Sequence, residues 1–474
     1  MHSLTTDALL LIGDLLPSPT CHRAILVNHQ WHDLFSRSLY RTASLRNLSQ
    51  LQSFLKQILL RPSLSRVVRE LDFSEWTSSS SSSSSPSSPP SASTSSPQLE
   101  ADDIALFSAH ANSHSLSPPE HTQWEKDLLD GVDEAWIALL LCTVPNLQIL
   151  DLIYPSSLDS RGYLDRLFER AVAACPLEGN IDEQNAFRRL SRVSLRQGPT
   201  KPEDEKGVFS MKQMMPFLRM RGLRELSVDS LVEYEAGPTE TQQEDAEGDD
   251  QREEEEEEAK SNALSNITFT TSNGAKGLAE LLSGCPGLKS FKYQHSDAHC
   301  LAEGFQPAAF RETLTLHKSS LETLWLDNLG EHLPFTISGL NESCDQWFGS
   351  FAEFTAMKEL RARLTNLLDV QYDFEPSIPL KEVLPGSIEK LVIEDCKERS
   401  LGMLVTQIKG LLEGKKFQSL KTVSVEGCFH DDEDTSGDAG GRVIKERVFE
   451  GVMPLSEACE KAGVSFTVWD RMCR

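Results

Sequence analysis

Basic residues are in short supply. The chain of 474 residues has 46 lysines and arginines against 72 acids, a formal net charge of −26. A nucleic-acid binder needs a basic footprint, and an acidic surface repels phosphate backbones and anionic membranes, so neither is an expected partner. The ten cysteines include no Cys-x-x-Cys pair. Their spacing therefore encodes neither a zinc site nor a disulfide framework, and a reducing cytoplasm or nucleus is the expected compartment. No apolar run approaches the ~20 residues of a membrane-spanning helix. The early run Ala8–Ile12 lies between Asp7 and Asp14 without the basic lead of a signal peptide. Phosphate loops, dinucleotide fingerprints and nucleophile elbows are absent. His295, Asp297, His299 and Cys300 form the tightest group of metal-ligand residue types, but no second pair accompanies them. No metal, cofactor or catalytic residue is expected.

Two stretches are too polar to fold alone. Ser78–Ser85 is unbroken serine, followed by Pro86, Pro89, Pro90 and Pro97. Without apolar side chains to offset ordering entropy, 77–120 reads as a disordered linker, and His110, His114 and His121 fall within it or at its edge. Glu233–Glu258 holds fourteen acids against Arg252 alone, a net −13. The region 233–262 therefore reads as an acidic disordered insertion, either a solvated loop or a lure for a basic partner.

Between these gaps a Leu-x-x-Leu-x-Leu pattern keeps returning. It begins at Leu147, Leu190, Leu223, Leu288, Leu321, Ile388 and Leu420, with weaker copies at Leu264 and Met357 and a terminal one at Val464. Each copy is one short strand plus a helical segment, too small to bury its own apolar face, so neighbours must stack. Alternation along a strand turns the first, fourth and sixth positions inward and the third and fifth outward. Among the outward residues Arg192, Glu225, Lys292, Trp325 and Arg361 are candidates for contacting a protein substrate. Trp325 reads either as a binding anchor or as a side chain covered by an insertion such as 331–344. An ordinary α/β domain with a parallel sheet is the competing architecture.

The first forty residues are helical in pattern. Thr5, Thr6 and Asp7 can cap a helix on which Leu9, Ile12 and Leu16 form one face, and Pro17-Ser18-Pro19 stops it. Ala24, Val27, Trp31 and Leu34 form a second face. A unit this small needs a covering surface, from the chain itself or from a partner. Here the sequence resembles an F-box. Leu4, Asp7, Ile12, Leu16-Pro17, Leu26-Val27-Asn28, Trp31 and Leu39-Tyr40-Arg41 fall in the family's order, with Thr5 in place of proline, Asp7 of glutamate and Asn28 of serine. The later segments resemble the leucine-rich repeats that commonly follow an F-box, and Cys396 and Cys428 occupy that pattern's Asn/Cys position.

The resemblance implies an α/β chain: a short N-terminal helical F-box (1–45), a connecting helix and first strand (46–76), the linker (77–120), and a curved leucine-rich-repeat-like solenoid of parallel strands and outer helices (121–474). It implies a substrate-recognition subunit of an SCF-type cullin-RING E3 ubiquitin ligase. Leu4, Ile12, Leu15, Leu16, Pro17, Val27 and Trp31 would dock a Skp-type adaptor and, through it, cullin and a RING protein. Some of these would also hold the hairpin together. The chain would make and break no bond itself; its contribution would be proximity. A non-catalytic scaffold without ubiquitin transfer, and a hydrolase or transferase on an α/β sheet, are the alternatives.

Overall fold

The computed structural model describes residues 5–77, 100–154, 162–173, 187–198, 207–233, 263–274, 276–296, 305–328, 346–370, 375–430 and 444–470. They form two compact units, Met1–Val208 with Met215–Leu226, and Phe209–Met214 with Ser227–Arg474. The serine run Ser78–Ser85, most of the acidic stretch and Asp297–Cys300 lie outside the described residues.

Unit 1 opens with α1 (Thr6–Leu15), α2 (Ser18–Ala24) and α3 (His29–Arg41). The Thr5 hydroxyl accepts the Ala8 N–H, capping α1 as the sequence implies. The inner face of α1 differs from the expected one. Leu9, Gly13 and Leu16 turn inward, and Ile12 is rotated out to 38% exposure. Gly13 makes this possible, because a Cβ there would lie 2.6 Å from Ser38 Oγ and 2.9 Å from the Phe35 ring. Only glycine lets α1 and α3 approach so closely. The second face is likewise divided between two helices. Asn28 caps α3 by accepting the Trp31 N–H at 2.8 Å, and Val27 is left in the turn, exposed. Such an asparagine cap is a contribution of about 1 kcal/mol.

Next come β1 (Thr42–Ser44), α4 (Leu48–Leu60), α5 (Pro62–Ser65) and β2 (Glu70–Asp72). α4 buries Leu51, Leu55 and Ile58, a single stripe at helical spacing. Part of the stretch read as disordered is helical: α6 (Ala101–His114) and the first residues of α7 (Pro118–Leu129). Sparse apolar anchors suffice, since Phe107, Ala111, Trp124 and Leu128 are buried. Phe107 stacks edge-on against Trp136 of α8 (Asp133–Thr143). α8 is buried from Asp133 to Leu141 and apolar all round from Ala135 on, as befits a central helix. His110 and His114 therefore lie on α6 and His121 on α7, correcting their reading as loop residues. β3 (Ile149–Tyr154), α9 (Tyr163–Ala173) and β4 (Arg192–Gln197) follow, and β1, β2, β3 and β4 pair in parallel.

Unit 2 contains β5 (Phe209–Ser210), which pairs β7 (Leu231–Glu233); β7 in turn pairs the end of β8 (Asn266–Gly274). From β8 a parallel series runs through β9 (Ser290–His295), β10 (Thr323–Asn328), β11 (Glu359–Arg363), β12 (Lys390–Cys396), β13 (Thr422–Gly427) and β14 (Ser465–Asp470). The series is open, not closed into a barrel. With β6 (Glu225–Asp229), in which the division between units falls, every repeat segment read from the sequence forms a strand starting one or two residues after its first apolar residue.

One backbone contact recurs at each step from β8 to β13. The carbonyl of the second position accepts two successive N–H groups of the next repeat: Lys289 O those of Glu322 and Thr323, Glu322 O those of Lys358 and Glu359, Glu389 O those of Lys421 and Thr422. The side chains at this position alternate in sign: Lys289, Glu322, Lys358, Glu389, Lys421. Lys358 reaches Glu322 at 2.5 Å, and Lys421 pairs Glu389. Inward residues such as Leu324, Leu360, Leu391 and Val423 are fully buried. Each contributes about 1.5–3 kcal/mol by leaving water. Cys396 is buried as its repeat position requires, whereas Cys428 is exposed and Phe429 takes the interior in its place. Gly427 precedes this change, where a Cβ would lie 2.0 Å from Cys396 O.

Candidate protein-interaction surfaces

The first surface is built on α1–α3. Leu9, Ala24 and Phe35 form a small core, with Leu16, Ile25, Trp31 and Leu34 packed against it. Trp31 meets Phe35 edge to face at 5.3 Å between centroids. Trp31 and Leu16, expected to contact an adaptor, thus belong largely to the module's own packing. The remaining apolar side chains face water. Leu15 is 85% exposed, and Leu11, Leu26 and Val27 are more than half exposed. Leu11 and Leu15 sit four residues apart and Ile12 and Leu15 three apart, so the three share one side of α1. Pro17 is exposed and Leu4 lies outside the described residues. Exposed leucines are unremarkable singly, but several on one small module are the signature of a covered surface.

The second surface is the outward face of β9–β13. Lys292, Trp325 and Arg361, at the fifth position of successive strands, are brought together by register, since Trp325 pairs Lys292 on one side and Arg361 on the other. The Trp325 ring carries Lys292 Nζ 3.9 Å from its centroid, with Arg361 at 5.3 Å and Lys390 at 5.9 Å. Cations over the indole face are attracted by its quadrupole. Trp325 is half-buried, and its Nε1 is shielded from solvent without a hydrogen-bond acceptor. Arg361 pairs Glu394 and lies 3.5 Å from Glu426, while Lys390 pairs Glu359 at 2.6 Å.

Glu394 and Glu426 are almost wholly buried, and Glu394 Oε2 has no hydrogen-bond partner. Burial raises the Glu394 pKa to about 8, and the neighbouring Asp327 charge adds to the rise against the pull of Arg361. Burial and the like charges of Asp327 and Glu426 outweigh the pull of Arg361, so the rise is the expected direction. Sequence reasoning stopped at the fifth position and missed these acids. The signal was available: Asp327, Arg363, Glu394 and Glu426 all occupy the seventh position, where alternation continues outward. In unit 1, Arg192 and Glu225 also meet, as an exposed ion pair between strands.

Among the described residues, groupings of catalytic residue types do not assemble a nucleophile with an oriented base. Ser108, His121 and Glu125 approach one another, but Glu125 itself takes the serine hydroxyl at 2.7 Å, with His121 Nε2 at 3.5 Å. His430 lies 3.1 Å from Asp470, whose same oxygen accepts the Phe429 N–H. His295 is buried with its Nδ1 2.8 Å from the Tyr293 hydroxyl. Among the described residues no group of three or more His, Cys, Asp or Glu side chains could hold a metal ion. No described helix is long and apolar enough to cross a membrane.

Residues 249–425 match the family model described as a leucine-rich repeat domain. The match takes in β8–β12 and most of β13, and none of the N-terminal helices. No curated protein matches the chain. Leucine-rich repeat domains are typically non-catalytic modules of protein–protein interaction, and the parallel strands with their alternating burial agree with the match.

Proposed function

We propose that the chain is the substrate-recognition subunit of an SCF-type ubiquitin ligase. In this reading α1–α3 dock a Skp-type adaptor, which joins cullin and a RING protein, and the outward face of the repeats holds a protein substrate. The chain acts in the cytoplasm or nucleus and contributes orientation and proximity. The observation that carries the reading is the display of Ile12, Leu15, Leu26 and Val27 by a module whose own core is already filled. On the repeat side, the Trp325 indole among Lys292, Arg361 and Lys390 offers an aromatic and cationic surface suited to an acidic or phosphorylated segment.

The test is capture of the full chain by purified Skp-type adaptor. Leu16→Asp or Trp31→Ala would also damage the module's packing, so the informative change is Leu15→Asp with Val27→Asp. Capture should fall at least about a hundredfold with helix content unchanged, since buried apolar anchors dominate interface energies. Unchanged capture, or none by the unsubstituted chain, would remove the ligase reading and leave the non-catalytic repeat scaffold. That second reading rests on the repeat match alone.

A further inference from the structure

The acidic stretch joins β7 to β8. It leaves the described residues after Glu233 and returns to them at Ala263, so both of its ends are fixed in unit 2. Its last acids are the consecutive glutamates Glu253–Glu258, and Glu258 stands six residues before Leu264. An extended chain of that length spans about 20 Å.

The repeats of β8 and β9 are the ones this return meets, and their outward charge has one sign. Their second, third and fifth positions hold Lys289, Lys292 and four neutral residues, with no acid among them. Lys289 is exposed and Lys292 half-buried, and neither makes an ion pair with a described residue. Further along the face the cations have carboxylates, Arg361 that of Glu394 and Lys390 that of Glu359. The row of second-position side chains shows why Lys289 is left over. Lys358 takes Glu322 and Lys421 takes Glu389, so Lys289 ends the row without an acid. The place before it belongs to Ser265, whose carbonyl accepts the Lys289 and Ser290 N–H groups but whose side chain is neutral.

Lys292 lies within reach as well. It stands beside Thr268 in register, and its ammonium rests over the Trp325 indole of the next strand. Four residues along β8 and one strand across put it about 14 Å from Leu264. Glu258 and the glutamates before it can therefore meet both lysines.

We propose that Glu253–Glu258 are an internal ligand of Lys289 and Lys292, occupying the cationic surface beside Trp325. Adjacent glutamates repel one another, and lysines that lack a carboxylate relieve that repulsion without breaking an existing pair. Proximity decides between this occupant and an acidic segment from elsewhere. The short tether from Ala259 to Leu264 holds the glutamates at an effective concentration in the millimolar range, on the order of what linked sites achieve. An acidic segment of another protein must compete with them. That consequence rests on reading the Trp325 face as the substrate surface; the contact itself depends neither on that reading nor on the adaptor.

The experiment is carbodiimide cross-linking of the full chain, which joins a carboxylate directly to an amine, with tryptic peptides read by mass spectrometry. The peptide Glu253–Lys260 should be joined to those carrying Lys289 or Lys292 at least about fivefold more often than to those carrying Lys381 or Lys415, exposed lysines beyond a Debye length from β8. Mixing with an isotopically labelled copy should show that both joined peptides come from one chain. Joining spread evenly over these lysines overturns the proposal, and joining between copies overturns it in favour of a second copy. The second measurement is fluorescence polarisation with labelled hexaglutamate. A chain with glutamine at every position from 253 to 258 should bind it at least about tenfold more tightly than the natural chain. Adding Lys289→Gln with Lys292→Gln should remove that gain, with circular dichroism unchanged. No gain, or a gain that survives loss of the lysines and so reflects net charge alone, overturns the proposal. Adaptor capture is read on α1–α3, so failure of the ligase reading and failure of this contact are distinguishable.

Discussion

On α1–α3, Leu15 and Leu26 stand in water around a core of three buried residues; on β12 and β13, Glu394 and Glu426 are withdrawn from water beside Arg361. The first region exposes groups that water disfavours, and the second buries groups that water would stabilise. Both arrangements cost folding free energy, by different routes. An uncovered leucine forgoes transfer free energy that a partner can supply on docking. A buried carboxylate needs its cation in place, or its desolvation goes uncompensated. The module's surface is therefore free to change without unfolding it, whereas the charged face is tied to the stability of the strands that carry it.

The largest expected effect falls on the charged face. At pH 9, where Glu394 is ionised, Arg361→Ala leaves Glu394 and Glu426 without their shared cation and should destabilise unit 2 by about 3–5 kcal/mol in denaturant titration. A loss under about 1 kcal/mol would mean that the pairing contributes little and that the contrast is one of appearance. Gly13→Ala comes next. The added methyl meets Ser38 and Phe35, so it should cost the module about 1–3 kcal/mol. The readout is earlier proteolytic cleavage within α1–α3 without a shift in the unfolding of unit 2.

The third prediction concerns pH. The folded-state pKa of Glu394 is raised from 4.5 to about 8, so folding favours the protonated carboxyl. Its contribution is whole below about pH 4.5 and is lost as pH rises through about 8. Glu394→Gln keeps the neutral form throughout. The stability of the variant relative to the natural chain should therefore rise between pH 5 and pH 8. A difference flat across that range would show that Glu394 stays ionised in the fold. The smallest effect belongs to the module's surface: Leu15→Asp should change unfolding by no more than about 0.5 kcal/mol, as exposed substitutions do. A larger loss would place Leu15 inside a packed contact and remove the contrast with Trp31.

The periodic parts of this molecule were the legible ones. Leu147, Leu321 and Ile388 each announce a strand, because an inward apolar side chain at every second position cannot occur by accident across ten repeats. Trp325 and Arg361 were placed on the outward face by the same alternation, and register alone brings them together. What stayed hidden depends on contacts between segments distant in sequence. Gly13 adds nothing to the apolar periodicity, yet it is the residue that lets α3 approach. Ile12 was assigned inward by spacing, although a small residue one place on had already taken the inner position. The helices Ala101–His114 and Pro118–Leu129 escaped notice because serine and proline dominate their surroundings, while Phe107 and Trp124 do the anchoring. The burial of Glu394 required knowing that Asp327 and Glu426 crowd it from neighbouring strands.

The alternation of Lys289, Glu322, Lys358, Glu389 and Lys421 along the stack acts as a parity rule. Excising the repeat that carries Glu322 would set Lys289 against Lys358, and excising the next would set Glu322 against Glu389. Removing two adjacent repeats restores opposite neighbours. Each rung is weak, being open to water and salt, yet an odd deletion between Lys289 and Lys421 is penalised and an even one spared. A chain that gains or loses repeats of this kind is thereby biased to do so in pairs.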